Sequence, residues 1–132
     1  MTLVFDANAL IAYLHREEGN ETVQGLLLDP ANTTFVHAVN LCEVYYDIRR
    51  LGEEETAQAT LVKLAETGLT TRDDMDEDLW QDAGRIKADL KRISLADCFS
   101  AALAARVEGA VVTADAEFRP LADSGRDIIF IR

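Results

Sequence analysis

The stretch Ile93–Phe118, ISLADCFSAALAARVEGAVVTADAEF, constrains the fold of this chain more than any other. It reads as a helix, a turn containing Gly109, and a short apolar strand that ends on Thr113-Ala114-Asp115. Two carboxylates, Asp97 and Asp115, interrupt this apolar sequence. An ionised carboxylate in such surroundings is costly unless a cation or several donors meet it. Two acids far upstream have the same character: Asp6 after Thr2-Leu3-Val4-Phe5, and Glu43 inside Val39-Asn40-Leu41-Cys42-Glu43-Val44-Tyr45-Tyr46.

The remaining elements follow from apolar spacing and turn residues. Strands are expected at Thr2–Phe5, Thr33–Val36, Leu69–Thr71, Ala110–Thr113 and Asp127–Ile131. Helices are expected from Ala9 towards Gly19, over Glu21–Leu28, Ala38–Leu51, Glu53–Glu66, Met75–Lys91, Ser94–Val107 and most of Ala116–Asp123, with Gly52 as a C-cap. Strands that alternate with helices imply a single domain over residues 1–132. The expected architecture is α/β: a three-layer α/β/α arrangement with a five-stranded parallel sheet. In such folds ligands bind beyond the carboxyl ends of the strands. Asp6 and Asp115 fall just past strand ends, and Glu43 and Asp97 near helix starts, so all four are expected along that edge.

Composition narrows the class. A chain of 132 residues, 48% of them hydrophobic, can bury a real core. No apolar run is long enough to span a bilayer and no secretory signal is visible, so the expectation is a soluble, cytoplasmic protein without membrane association. The charge is acidic: 13 basic against 24 acidic residues gives −11. Alone, this opposes a nucleic-acid partner; cations held in an acidic site would reverse the local field. Cys42 and Cys98 lack metal-binding spacing and are read as small buried hydrophobes.

Each of the four acids also has a purely structural reading. Ser94-Leu95-Ala96-Asp97 is a capping-box pattern, Asn40–Glu43 permits the same, and Asp6 and Asp115 are possible helix N-caps. Their joint placement at one edge favours a shared metal site. Carboxylates without a His or Cys cluster suit Mg²⁺ or Mn²⁺, and His15 and His37 form no ligand pair. Such a site binds phosphate oxygens and activates water for in-line attack, which points to phosphodiester hydrolysis. The sequence offers no other nucleophile or phosphate loop.

Asp6-Ala7-Asn8 after the first strand, Asn40-Leu41-Cys42-Glu43-Val44, Ser94-Leu95-Ala96-Asp97 and Val112–Phe118 together resemble the motifs of PIN-domain nucleases, in order and spacing, over nearly the whole chain. The similarity is greatest to the VapC-type toxins of bacterial and archaeal toxin–antitoxin pairs. The resemblance implies an Mg²⁺/Mn²⁺-dependent endoribonuclease with Asp6, Glu43, Asp97 and Asp115 as metal-binding and catalytic acids. It also implies that Asn8 and Thr113 help to orient an acid or a metal-bound water. Relatives commonly dimerise and are silenced by a cognate antitoxin whose tail can reach into the acidic groove. Many carry a further acid within a turn of the Asp97 position; here Cys98–Ala105 contains none, which leaves the metal count open.

Arg85, Lys87, Lys91 and Arg92 lie within eight positions just before the Asp97 helix. They read equally as an RNA-phosphate patch or as cations at a helix C-terminus. Tyr45, Tyr46 and Trp80 could stack on bases, though their helical spacing suits core or interface positions. Two rival classes remain in view. A catalytically inactive module binding protein or RNA would use the acids only as caps. A phosphoacceptor receiver domain would need an acid after a central strand, and Thr70-Thr71-Arg72 supplies none. An aspartate phosphatase is disfavoured because Asn8 stands where its second aspartate would be.

Overall fold

Alternate residues of the first strand, β1 (Thr2–Phe5), point to opposite faces and seed two separate cores. In the computed structural model, which describes all residues 1–132, Leu3 and Phe5 pack into one core and Val4 into the other. The same alternation holds in β2 (Thr33–His37), where Val36 faces the first core and Phe35 the second. It recurs in β4 (Ala110–Thr113), with Ala110 and Val112 against Val111. With β3 (Thr70–Arg72) and β5 (Ile128–Phe130) these strands form one sheet of order β3-β2-β1-β4-β5. Every pairing is parallel.

The helices divide between the two faces. On the first core lie α1 (Ala7–Leu14), α2 (Asn20–Leu28), α3 (Ala38–Leu51) and α4 (Glu54–Glu66). On the second lie α5 (Glu77–Leu90), α6 (Leu95–Arg106) and the short α7 (Arg119–Asp123), with a 3₁₀ turn at Ala116–Phe118 before it. This is the expected three-layer α/β/α fold with a five-stranded parallel sheet. Phe5, Phe118, Leu3, Leu10, Ile93 and Leu103 are among its fully buried side chains. Each contributes roughly 1.5–3 kcal/mol by leaving water. No helix is long and apolar enough to cross a membrane.

The central stretch folds as its sequence suggests. Nine consecutive residues of α6, Ala96–Ala104, are buried, so this helix is core on all sides. The turn to β4 requires glycine at 109: a Cβ there would stand 2.6 Å from the carbonyl oxygen of Thr2. That close approach sets β4 beside β1.

Several boundaries differ from expectation. Helix α1 stops at Leu14 because Arg16 takes a left-handed conformation (φ 55°) and turns the chain towards α2. Gly52 does follow α3, but its backbone is extended (φ −159°, ψ −170°) rather than left-handed, and Arg49 donates to its carbonyl at 3.0 Å. Cys98 is buried, but Cys42 is exposed, because α3 turns that position away from the sheet.

Candidate metal centre

The strand order creates the site. From β1 the chain moves outward through β2 and β3, then returns to place β4 on the other side of β1. The crevice at such a reversal opens at the carboxyl ends of the two central strands. Asp6 leaves β1 there and Asp115 leaves β4.

Asp6 has no solvent exposure. Its backbone N–H continues the ladder to the Val112 carbonyl at 3.1 Å. One carboxylate oxygen accepts from the Ala9 N–H at 2.8 Å and so caps α1. The other accepts from the Thr113 hydroxyl. That hydroxyl in turn accepts from the Asp115 N–H at 2.9 Å. Thr113 therefore links the two strand-end acids. Burial, reinforced by the Asp97 charge, pushes the Asp6 carboxyl up to about 8, against the lowering effect of the bonds from Thr113 and Ala9.

Asp97 sits in the first turn of α6 and is 3% exposed. Its N–H donates to the Ser94 hydroxyl at 3.1 Å, which is half of a capping box. Burial pushes its carboxyl up to about 7, with Asp115 and Glu43 adding to the rise and Ser94 opposing it. Asp115 is half-buried and accepts from the Glu117 N–H at 2.8 Å. Glu43 is exposed on α3, beyond the first turn. The cap of that helix is His37, whose Nδ1 accepts from Val39 at 3.1 Å, so Glu43 has no capping role. Partial desolvation raises its carboxyl too.

Cap and candidate ligand are thus not alternatives. Asp6 and Asp115 each spend one oxygen on a cap, and Asp97 is held by a cap formed elsewhere. None of the four acids has a Lys or Arg partner, although seven ion pairs occur in the molecule. Two strongly buried, mutually repelling carboxylates without a protein cation are chemically suited to a hard divalent ion. All the available donors are oxygens. The arrangement is open: no group of three or more His, Cys, Asp or Glu side chains is placed to hold a metal ion directly. That suits Mg²⁺, which takes one or two carboxylates and retains waters.

The other expected residues divide. Asn8 is exposed and makes no hydrogen bond to any of the acids. Lys87 is committed elsewhere: its Nζ donates to the carbonyls of Lys91 and Ile93, at 2.8 and 2.7 Å, and closes the α5–α6 turn. Arg85, Lys91 and Arg92 are exposed, without an ion-pair partner. Tyr46 and Trp80 lie on the surface rather than in the core, while Tyr45 donates to Glu54 at 2.5 Å. Two residues escaped functional notice in the sequence. His37 is fully buried, donates from Nε2 to the Asp74 carbonyl at 2.9 Å and packs on Phe99. Asn40 is fully buried and bonded to the backbone on both sides of the site. The sequence presented it only as a possible cap and as the first residue of the Asn40–Val44 motif, without a role of its own.

A parallel five-stranded sheet with acids gathered at its topological switch defines a class that the family comparison identifies. The PIN domain model matches residues 3–123, and the chain belongs to that family. A search of curated proteins returns no match. Among solved structures, VapBC-1 from nontypeable Haemophilus influenzae is similar at 19% identity, with 99% of this chain and 98% of that chain covered and a TM-score of 0.74. DNA-bound VapBC from Salmonella typhimurium gives 20% identity, coverage of 100% and 99%, and a TM-score of 0.74. VapBC-5 from Mycobacterium tuberculosis, a member of the VapBC family of toxin-antitoxin systems, gives 21% identity, 98% coverage of both chains and a TM-score of 0.65. At these identities the likeness speaks to the fold.

Proposed function

We propose that this protein is a divalent-metal-dependent endoribonuclease, the VapC-type toxin of a toxin–antitoxin pair. The observation that carries the proposal is the burial of Asp6 and Asp97 side by side with no protein cation to neutralise them. Membership of the PIN domain family supports the same reading, and the VapBC likeness supports an antitoxin partner. On this reading the molecule works in the cytoplasm, as a homodimer.

Asp6, Asp97 and Asp115 would hold Mg²⁺ or Mn²⁺ partly through the waters the ion retains, with Glu43 at the exposed rim. When bound, the ion supplies Lewis-acid polarisation of the scissile phosphate and a more acidic water. The chain's own residues prepare this. Thr113 donates to the Asp6 carboxylate while accepting from the Asp115 amide, so the acids of β1 and β4 are linked through one hydroxyl. Asp6 and Asp97, pushed up to about 8 and about 7, would hold the ion as deprotonated carboxylates, so binding would be favoured as pH rises. Arg85, Lys91 and Arg92 are free to meet RNA phosphates. Lys87 is assigned to the turn instead.

The test is a thermal melt with Mg²⁺, Mn²⁺ or EDTA, run beside Asp97→Asn and followed by RNA cleavage. An ion that binds only the folded chain raises the midpoint. A rise lost in Asp97→Asn, together with cleavage reduced at least about a hundredfold, supports the reading. The open arrangement of the acids favours one alternative, a non-catalytic PIN module that binds protein or RNA. That reading takes over if millimolar metal leaves the midpoint unchanged.

A further inference from the structure

We infer that Asn40 is a positioning residue for the acid site: its buried carboxamide ties the backbone beside Asp6 to the backbone beside Asp97. The inference rests on the metal-centre reading above. It deepens that reading by naming the part that sets the separation of the two buried carboxylates.

Asp6 and Asp97 come from elements far apart in the chain, at the starts of α1 and α6. Nothing in either helix alone fixes one relative to the other. Asn40 lies between them on α3, with no solvent exposure. Its Oδ1 accepts from the N–H of Ala7, the residue after Asp6, at 3.0 Å. Its Nδ2 donates to the carbonyl of Ala96, the residue before Asp97, at 2.9 Å. The orientation of the amide is dictated by its partners: a backbone N–H can only donate and a carbonyl can only accept. One rigid planar group thus spans the gap. Glu43, three residues on, rises from the same side of α3.

Ser100 supplies a second observation. A helical serine usually returns its hydroxyl proton to the carbonyl four residues back. For Ser100 that carbonyl is Ala96, which already faces the helix ladder and the Asn40 amide. The Ser100 hydroxyl is fully buried and has no hydrogen-bond partner.

Groups that orient ligands typically change metal affinity by about 10–100-fold when removed. The experiment is titration of Mn²⁺ into wild type, Asn40→Ala and Asn40→Ser, with folding checked by circular dichroism and hydrogen exchange followed at the Ala7 amide. The expected result is Mn²⁺ affinity weakened at least about tenfold in folded Asn40→Ala, with faster exchange at Ala7. Should that variant not fold, Asn40→Ser, which keeps a hydroxyl for one of the two backbone groups, is judged by the same limit. A variant that melts earlier yet binds Mn²⁺ as wild type does would make Asn40 merely structural and overturn the inference, leaving the metal centre intact. Wild type that binds no Mn²⁺ would instead overturn the metal-centre reading and this inference with it.

Discussion

Two groups of aspartates in this molecule have opposite surroundings. Asp74 and Asp76 sit at the start of α5 among arginines: Arg72 and Arg106 both pair with Asp74, and Arg106 reaches Asp76 with both guanidinium nitrogens. Those bonds hold Asp74 well below the usual carboxylate range and Asp76 down to about 2. Asp6 and Asp97 have no arginine and are pushed up to about 8 and about 7, chiefly by burial. The first pair is electrically complete and clamps the β3–α5 loop to α6. The second has no protein cation beside it. The same residue type is thus a fastener in one place and a buried, cation-free carboxyl in the other, and the presence of a protein cation separates the two.

The sharpest way to break this contrast is Asp6→Asn. Asparagine still caps α1, so the fold survives. The variant should lose the Mg²⁺-induced rise in melting midpoint and RNA cleavage together. In EDTA at about pH 8 it should melt no lower than wild type, because a buried charge has been removed. A normal cleavage rate would remove Asp6 from the machinery.

Next in size is a pH effect whose sign differs between the groups. Asp6 and Asp97 bind protons more tightly folded than at their ordinary value of 3.8. Their contribution to stability is therefore full below about pH 4 and is lost as pH rises through about 7 to 8. Metal-free protein should lose stability from these two groups between about pH 4 and about pH 8, and Mg²⁺ should counter the loss. Asp76 runs the other way: its contribution is present above 3.8 and is lost as pH falls towards 2. Melting curves with and without EDTA across that range check both signs.

A smaller effect is expected from Arg106→Ala, which opens the clamp. The melting midpoint should fall while the rise on adding Mg²⁺ is unchanged; a lost metal response would show that the two aspartate groups are coupled. Smallest is the contrast between Lys87→Met and Arg92→Ala. The first should cost about 1 kcal/mol of stability, because it frees two carbonyls at the α5–α6 turn. The second should leave stability alone and reduce the salt dependence of RNA binding. Denaturant titrations and salt-dependent binding separate them.

The fold was legible because its strands are short apolar runs between turn residues, and because alternation within Thr2–Phe5 already assigns Leu3 and Phe5 to one face and Val4 to the other. Two of the acids stood out because a carboxylate after Phe5, or within Ala96–Ala104, has no solvent to face. What stayed hidden depends on partners distant in sequence. Nothing local says that Lys87 turns back to the Ile93 carbonyl, that Cys42 faces outward, or that His37 rather than Asn40 caps α3. Cap and ligand looked like competing readings for Asp6 because sequence does not show that a carboxylate divides its two oxygens between Ala9 and Thr113.

The insertion of β4 beside β1 also sets a timetable. Chains emerge from the ribosome N-terminus first. β1 can pair with β2 early, yet Asp6 waits for a hydroxyl 107 residues further along. Until Thr113 arrives, β1 has one open edge and the acids have no common crevice. A chain released before Ala110 would lack Thr113 and Asp115, the two residues that β4 brings to the site. Translation must therefore pass Thr113 before the acids of β1 and β4 can be joined, so the acid site is completed only after both halves of the sheet have been made.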